Sequence, residues 1–406
     1  MTPIASPAVP PLAPEQSTSA AAKTGNFKQR SNLREYGLMI ALIVIMVLFQ
    51  ILTNGTLFRP LNLTNLVLQN SYIVVMALGM LMVIVAGHID LSIGSVAGFI
   101  GGMSAVLMVN HRMNFALATL ICLVTGAVIG AAQGYWVAYL KIPSFIVTLA
   151  GMLVFRGMTY VMVGGESLGP FPWQFQLLSS GFISGSGSGS FHYVSMGIGA
   201  LVAAAIFFFA LRRRLTRQKH GYQGGSILMF IVEQCIIAAL VLYLSYLLAS
   251  YRGLPNVLIV MGTLIAAFNF LTTRMTVGRR IYALGGNAKA AKLSGINTER
   301  LTFLTFITMG TLAALGGLII VARLNGATPK GGDGVELDVI AAVFIGGASA
   351  SGGVGKVLGA VVGAFIMGVM NNGMSIMGVG IDWQKIIKGL VLLAAVVFDV
   401  YNKNKV

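Results

Sequence analysis

The run AGHIDLSIGS at 86–95 places an imidazole, a carboxylate and two hydroxyls within reach of one another. His88, Asp90, Ser92 and Ser95 stand between two apolar stretches. Ionisable groups at membrane depth are costly unless paired or hydrated, so by default they are functional candidates. Such a cluster suits a polar pathway or gate; it equally suits an interfacial loop in which Asp90 caps the next helix through its first amides. The run GVELDVIAAVFIGGASASGG at 334–353 has a similar build, with Glu336 and Asp338 opening a short apolar helix that a Gly/Ser run closes. Carboxylates at a helix start complement its dipole, so Glu336 and Asp338 are read as structural helix-start acids. Two acidic openings of this kind in opposite halves hint at an internal repeat, as transporters carry. Asn371 and Asn372, inside an apolar stretch, either bond a polar solute or join helices. Arg156 is read as snorkelling toward an interface, and Glu233 is a lone acid with no partner the sequence can name.

Catalytic chemistry has no foothold here. The nearest thing to a phosphate loop is SGGVGKV at 351–357. A phosphate loop needs Gly, four residues, then Gly-Lys-Ser/Thr, so that backbone amides hold phosphate and a hydroxyl binds magnesium. Ala350 stands where the first Gly belongs and Val357 replaces the hydroxyl. His88, His111, His192 and His220 are isolated, without zinc spacing. GSGSG at 185–189 matches a nucleophile elbow in letters alone and reads as linker. The expectation is a chain with no catalytic residues, no metal and no cofactor of its own.

The stretch GRRIYALGGNAKAAKLSGI at 278–296 is basic, small and punctuated by Gly285, Gly286 and Asn287. Its Ala, Leu and Lys suit a short helix that the Gly-Gly-Asn step breaks or starts.

These groups must be held by apolar helices. Hydrophobic residues are 56% of the 406 and charged residues 9%, against about 25% charged in a soluble domain. The chain is therefore expected to be an all-α polytopic membrane protein. Stretches able to cross a bilayer fall at 36–53, 65–86, 91–109, 115–140, 143–163, 193–211, 226–250, 254–272, 301–321, 337–349, 356–379 and 384–401. That is about 10–12 transmembrane helices, and the stretch 337–349 is too short to cross straight. It is expected to be broken or re-entrant, a device used where backbone lines a polar cavity.

The net charge of +16 is not a nucleic-acid signature. Lys and Arg gather at span ends: Lys23 to Arg34, Arg212 to Lys219, Arg274 to Arg300, and Lys403 with Lys405. This is the positive-inside pattern, and twelve crossings leave both termini cytoplasmic. Residues 1–35 lack an apolar core region, so no signal peptide is expected there, and their Pro/Ala/Ser/Thr content reads as a disordered tail. Cys122 and Cys235 lie in apolar spans and imply no disulfide. The loop 164–192 then faces outward, with Gly-Ser linker chemistry and aromatics Phe171 and Trp173 read as an interfacial belt. The loop 273–300 faces inward, open to a soluble partner, and the basic run at 212–222 can also meet anionic lipid.

GHIDLSIGS, GRRIYALGGNAKAAKLSGI, ARLNGATPKGGDGVELDVIAAVFIGGAS and NNGMSIMGV occur in that order. Together they resemble the permease subunits of bacterial ABC importers for ribose, xylose and related monosaccharides, over residues 36–406. The family usually has Gly where this chain has His88, which leaves the role of that position open. An additional helix pair at roughly 212–251 makes the chain look like the multiple-monosaccharide subgroup. The resemblance implies a multi-pass protein of the bacterial inner membrane, pairing with a second permease copy in a dimer. It also implies a separate ATPase subunit that binds the ATP and a periplasmic sugar-binding protein that delivers xylose, arabinose, galactose or glucose.

In such importers a short cytoplasmic permease helix sits in a groove of the ATPase, and the matching segment here is Ala283–Gly295. Ala283 opens the segment, Ala288, Ala290 and Ala291 let backbones approach, Gly285 and Gly286 let the chain turn sharply, and Asn287 caps the helix. Lys289 and Lys292 are expected to meet acids on the ATPase, and Ser294 and Gly295 close the segment. His88, Asp90, Ser92, Asn371 and Asn372 are the candidate pathway groups. The competing reading is a secondary carrier driven by an ion gradient, with Asp90 and Glu233 as ion sites.

Overall fold

The computed structural model describes residues 37–183, 191–220 and 226–403. The tail 1–35, the Gly-Ser run at 184–190 and Lys405 lie outside these residues. The chain runs α1 (Gly37–Leu52), α2 (Pro60–Val85), α3 (Ile93–Ala105, with a π-helical end Val106–Asn110), α4 (Phe115–Ala138) and α5 (Ser144–Val163). A short α6 (Trp173–Gln176) and β1 (Phe182–Ile183) precede α7 (Tyr193–Lys219), α8 (Ile227–Ala249), β2 (Leu254–Pro255) and α9 (Val257–Arg274). Two short helices, α10 (Thr276–Gly286) and α11 (Ala288–Leu293), lead to α12 (Thr298–Leu324). Then come α13 (Val335–Ile345), α14 (Val357–Ile376) and α15 (Ile381–Lys403).

Among the described residues nine helices are long and apolar enough to cross a membrane. α1 is shorter, and α15 carries Asp382, Lys385 and Lys388 in its first half. α13 has 11 residues, about 16 Å at about 1.5 Å per residue, half of a bilayer core. It is the broken crossing that the sequence points to.

Local chemistry sets the helix ends. Pro60 opens α2, where its missing N–H costs nothing. Asn114 and Asn297 accept bonds from Ala116 N and Arg300 N and cap α4 and α12. Asn325, in the left-handed region at φ 53, ends α12.

The core is α2 and α12, with α3, α4, α13 and α14 packed round them. Gly126, Gly130 and Gly134 on α4 share one face at four-residue spacing and meet Ala314, Gly310, Phe306 and Phe303 of α12. With no hydrophobic drive between helices in lipid, this backbone approach is what gives dispersion its grip. α7 and α8 pack mainly on each other and leave most of their apolar surface exposed.

The pair of helices expected within 212–251 is placed differently: that stretch holds the end of α7 and all of α8. Arg212, Arg213, Arg214, Leu215, Arg217 and Lys219 are good helix formers, so α7 continues through the basic run as long cations reach past the apolar zone. The outer loop also departs from a free aromatic belt. Phe171 and Phe175 are buried with ring centroids 5.0 Å apart, and Phe171 N donates to Asn325 Oδ1 at 2.8 Å. Trp173 alone of these stays exposed.

Contacts rank the two ends of the bundle. At the α10–α11 end, Gly353 N donates to Val85 O at 2.8 Å and Ser349 Oγ to Asp399 Oδ2 at 3.1 Å. At the far end, Asn62 and Asn372 exchange bonds of 2.9 and 3.2 Å and Phe49 packs on Gly373. α3 begins well inside the bundle, since Ala97 lies level with Gly317 of α12. Its first turn meets the 331–336 segment, which enters from the far end and leads into α13.

Candidate functional site

Two places concentrate the chemistry. The first is the peg formed by α10 and α11. Asn287 caps α11 by accepting from Ala290 N at 3.0 Å, as its side chain and position predict. Ala283, Ala288, Lys289, Ala290, Lys292, Leu293 and Ser294 are exposed, Ala291 is buried, and Leu293 is 90% exposed. Ser294 Oγ donates to Ala290 O at 2.9 Å, and Gly295, at φ 79, turns the chain out of α11.

The glycines work otherwise than expected. α10 runs through Gly285 and Gly286, and the break falls at Asn287, with φ −158 and ψ 99. Gly285 is needed for closeness: a Cβ there would collide with Val85 O and sit 2.6 Å from Gly353 N. A Cβ on Gly286 would meet nothing within 4 Å. Lys292 does not wait for a partner acid. It lies 2.8 Å from Glu299, which also pairs with Lys141 at 3.2 Å. Lys289 makes no ion pair among the described residues. Tyr282 donates to Gly355 O at 2.7 Å and pins α10 to the loop before α14; burial raises its phenol pKa above the ordinary value. The peg is thus bolted to α2, to the 353–355 loop and to α12.

The second place is polar and inside the bundle, and the expected pathway groups divide there into separate clusters. Asp90, 3% exposed, accepts from Ser92 N at 2.8 Å and Ser92 Oγ at 2.6 Å, while Gln133 Nε2 donates to Ser92 Oγ at 2.9 Å. Asp90 therefore closes a turn before α3 instead of capping the helix's first amides. His88 is half-buried, its ring centroid 5.9 Å from that of Phe306. Asn371 Nδ2 donates to Asp338 Oδ2 at 3.0 Å, and the Lys388 ammonium reaches the same oxygen at 3.0 Å. Asn372 bonds Asn62 and ties α14 to the start of α2, so it joins helices.

Glu336 and Asp338 do sit in the first turn of α13, and both are buried. Each also has a cation. Arg156, read from sequence as snorkelling, lies 2.8 Å from Asp333 and 3.4 Å from Glu336. Burying a carboxylate needs such a partner, and the dipole alone does not suffice. Beside this triad lies a cleft of about 350 Å³ lined by Ser95, Arg156, Tyr160, Lys330, Asp333 and Lys385, among others. The sequence reading missed Lys330, Asp333, Tyr160 and Lys385. The available signal was Arg156, a full charge inside an apolar span. Glu233 lies exposed on α8, a helix that does not pack on this cluster.

Apolar helices long enough to cross a bilayer, one broken crossing and buried acids held against partly exposed cations define a multi-pass membrane protein. The permease component family of branched-chain amino acid transport systems matches residues 62–396, and the chain belongs to that family. It is 39% identical over 374 residues to the xylose transport system permease protein XylH of Escherichia coli (strain K12), covering 92% of this chain and 93% of that one. The XylH of Haemophilus influenzae is 38% identical over 380 residues, 93% of this chain and 100% of that one. The ribose import permease protein RbsC of Escherichia coli (strain K12) is 33% identical over 373 residues, 92% and 95% of the two chains. No solved structure matches.

Proposed function

We propose that this chain is the transmembrane subunit of an ATP-driven monosaccharide importer in a bacterial inner membrane, with xylose, arabinose, galactose and glucose as the substrate class. A periplasmic sugar-binding protein delivers the sugar, a separate ATPase binds and hydrolyses ATP, and a second copy of this chain completes a dimer. Relatives named for xylose and ribose transport support the sugar. No cofactor or nucleic acid enters the reading. Both termini are cytoplasmic, and α7 with α8 forms a lipid-facing hairpin, supported by their exposed apolar surface.

The observation that carries the reading is the peg. A capped helix with Ala290 and Leu293 exposed projects from the bundle, while its base is fixed by Gly285 on Val85 and by Tyr282 on Gly355. Such a part transmits force because its base cannot bend independently of α2 and α12. Nucleotide-driven movement of the ATPase shifts the bundle between two packed states, as any ligand with different affinities for two states does. Leu293 serves as the apolar anchor, a role the sequence reading did not assign.

The test is uptake of labelled pentoses and hexoses in a strain deleted for this chain and complemented by wild type or Ala290→Glu. Wild type restores uptake and Ala290→Glu abolishes it at unchanged membrane abundance. Full uptake by Ala290→Glu with the ATPase still co-purifying overturns the lever. Uptake that survives ATP depletion and collapses with an uncoupler favours the ion-driven carrier.

A further inference from the structure

We infer that the cleft between α3, α5, the 329–333 segment and the start of α15 is a binding station for a neutral, monosaccharide-sized polyol. The inference rests on the sugar-import reading and adds the place within this chain where the solute pauses. Of the AGHIDLSIGS cluster only Ser95 lines this cleft, and His88, Asp90, Ser92, Asn371 and Asn372 do not.

Three observations carry it. First, Ser95 is 3% exposed and lines the cleft, yet its Oγ has no hydrogen-bond partner. A buried hydroxyl left unpaired is costly, so such an atom is an opening for a ligand or water.

Second, the lining charges are of both signs. Arg156 lies between Asp333 and Glu336, and Lys330 and Lys385 stand at the same cleft. Asp333 is the carboxylate that lines the cleft, and the three basic groups beside it disfavour a metal cation. A neutral polyol gains from both kinds: its hydroxyls donate to the carboxylate oxygens and accept from the guanidinium and ammonium groups. Tyr160 adds an aromatic face for the C–H side of a sugar ring.

Third, size and depth fit. About 350 Å³ lies at the small end of the roughly 300–1,000 Å³ typical of small-molecule sites. Ser95 sits near Ala97, which is level with Gly317 inside the bundle. Lys330, Asp333 and Lys385 are exposed while Ser95 is buried, so the cleft runs from an open charged mouth to a buried hydroxyl.

The experiment uses Ser95→Cys in a chain whose exposed Cys235 is replaced by Ser, expressed with its partner subunits in intact cells. A membrane-impermeant methanethiosulfonate reagent is applied with and without xylose or glucose, and labelling is read by mass as well as by uptake. Expected are labelling of the new thiol, loss of uptake with it, and labelling slowed about fivefold at sugar concentrations well above the dissociation constant. If Ser95→Cys does not reach the membrane, Lys385→Cys at the same cleft carries the same comparison. A thiol that never labels, or that labels equally with and without every sugar tried, overturns the station. Shielding by phosphate but not by sugar overturns the polyol assignment. A wild type that imports no sugar while the thiol is still shielded sinks the import reading alone.

Discussion

A methyl group on Gly94 would overlap Oε2 of Glu336. The first turn of α3 and the first turn of α13 thus share one space, and the two acidic helix openings abut inside the bundle. Gly98 is placed likewise against Gly331 O, and Gly332 against Gly94 O. Glu336 is held in turn by Arg156 of α5, so three helices and one re-entering segment meet at the edge of the cleft.

Gly94→Ala is expected to destabilise the protein by about 1–3 kcal/mol, the usual cost of overpacking. Gly98→Ala is expected to cost at least as much, because both new methyl groups strike backbone oxygen that cannot swing away, Gly331 O at Gly98 and Gly332 O at Gly94. Thermal unfolding in detergent orders the two. Equal melting temperatures for wild type and Gly98→Ala would show that α3 does not pack against the segment at Gly331.

At the base of the peg, Gly285→Ala strikes Val85 O and Gly353 N while Gly286→Ala meets open space. The first is expected to cost upwards of about 3 kcal/mol and to lower the amount of protein in the membrane. The second leaves abundance near wild type. Membrane abundance by blotting separates them, and reversed ranks would refute the packing.

Asp338 and Lys388 have side chains 7% and 22% exposed and meet at 3.0 Å. Asp338→Ala strands a partly buried ammonium and should cost about 3–5 kcal/mol. Adding Lys388→Met is expected to restore much of that loss, a coupling that a double-mutant cycle measures directly. Additive losses would mean that the pair is not coupled.

Glu299 receives Lys292 and Lys141, whose side chains are 66% and 63% exposed. Exposed pairs contribute about 0.2–1 kcal/mol each, so Glu299→Gln should barely shift the melting temperature. Its effect belongs to the peg: hydrogen exchange across 288–293 should quicken, most at low ionic strength, where screening is weakest. Unchanged exchange would mean that the lysine pairs do not hold α11.

The broken crossing was legible because the apolar stretch 337–349 is simply too short for a bilayer, and α13 falls at Val335–Ile345. The Asn287 cap was legible because capping is local and needs only an amide oxygen three residues before a free N–H. The division of labour between Gly285 and Gly286 was not, since neighbouring glycines look alike until Val85 arrives opposite one of them. The same holds for Lys292, whose acid is its own chain's Glu299.

Composition and the spacing of apolar runs, by themselves, settled that this chain lives in a bilayer as a bundle of helices with one incomplete crossing. Those features depend on residues near one another in sequence, and on a solvent that forbids unpaired backbone. Which charges pair, which glycine needs its missing side chain, and where Ser95 is left without a partner were decided only when distant helices met. Arg156 and Glu336 are far apart along the chain, and no local rule brings a guanidinium to a carboxylate across that gap.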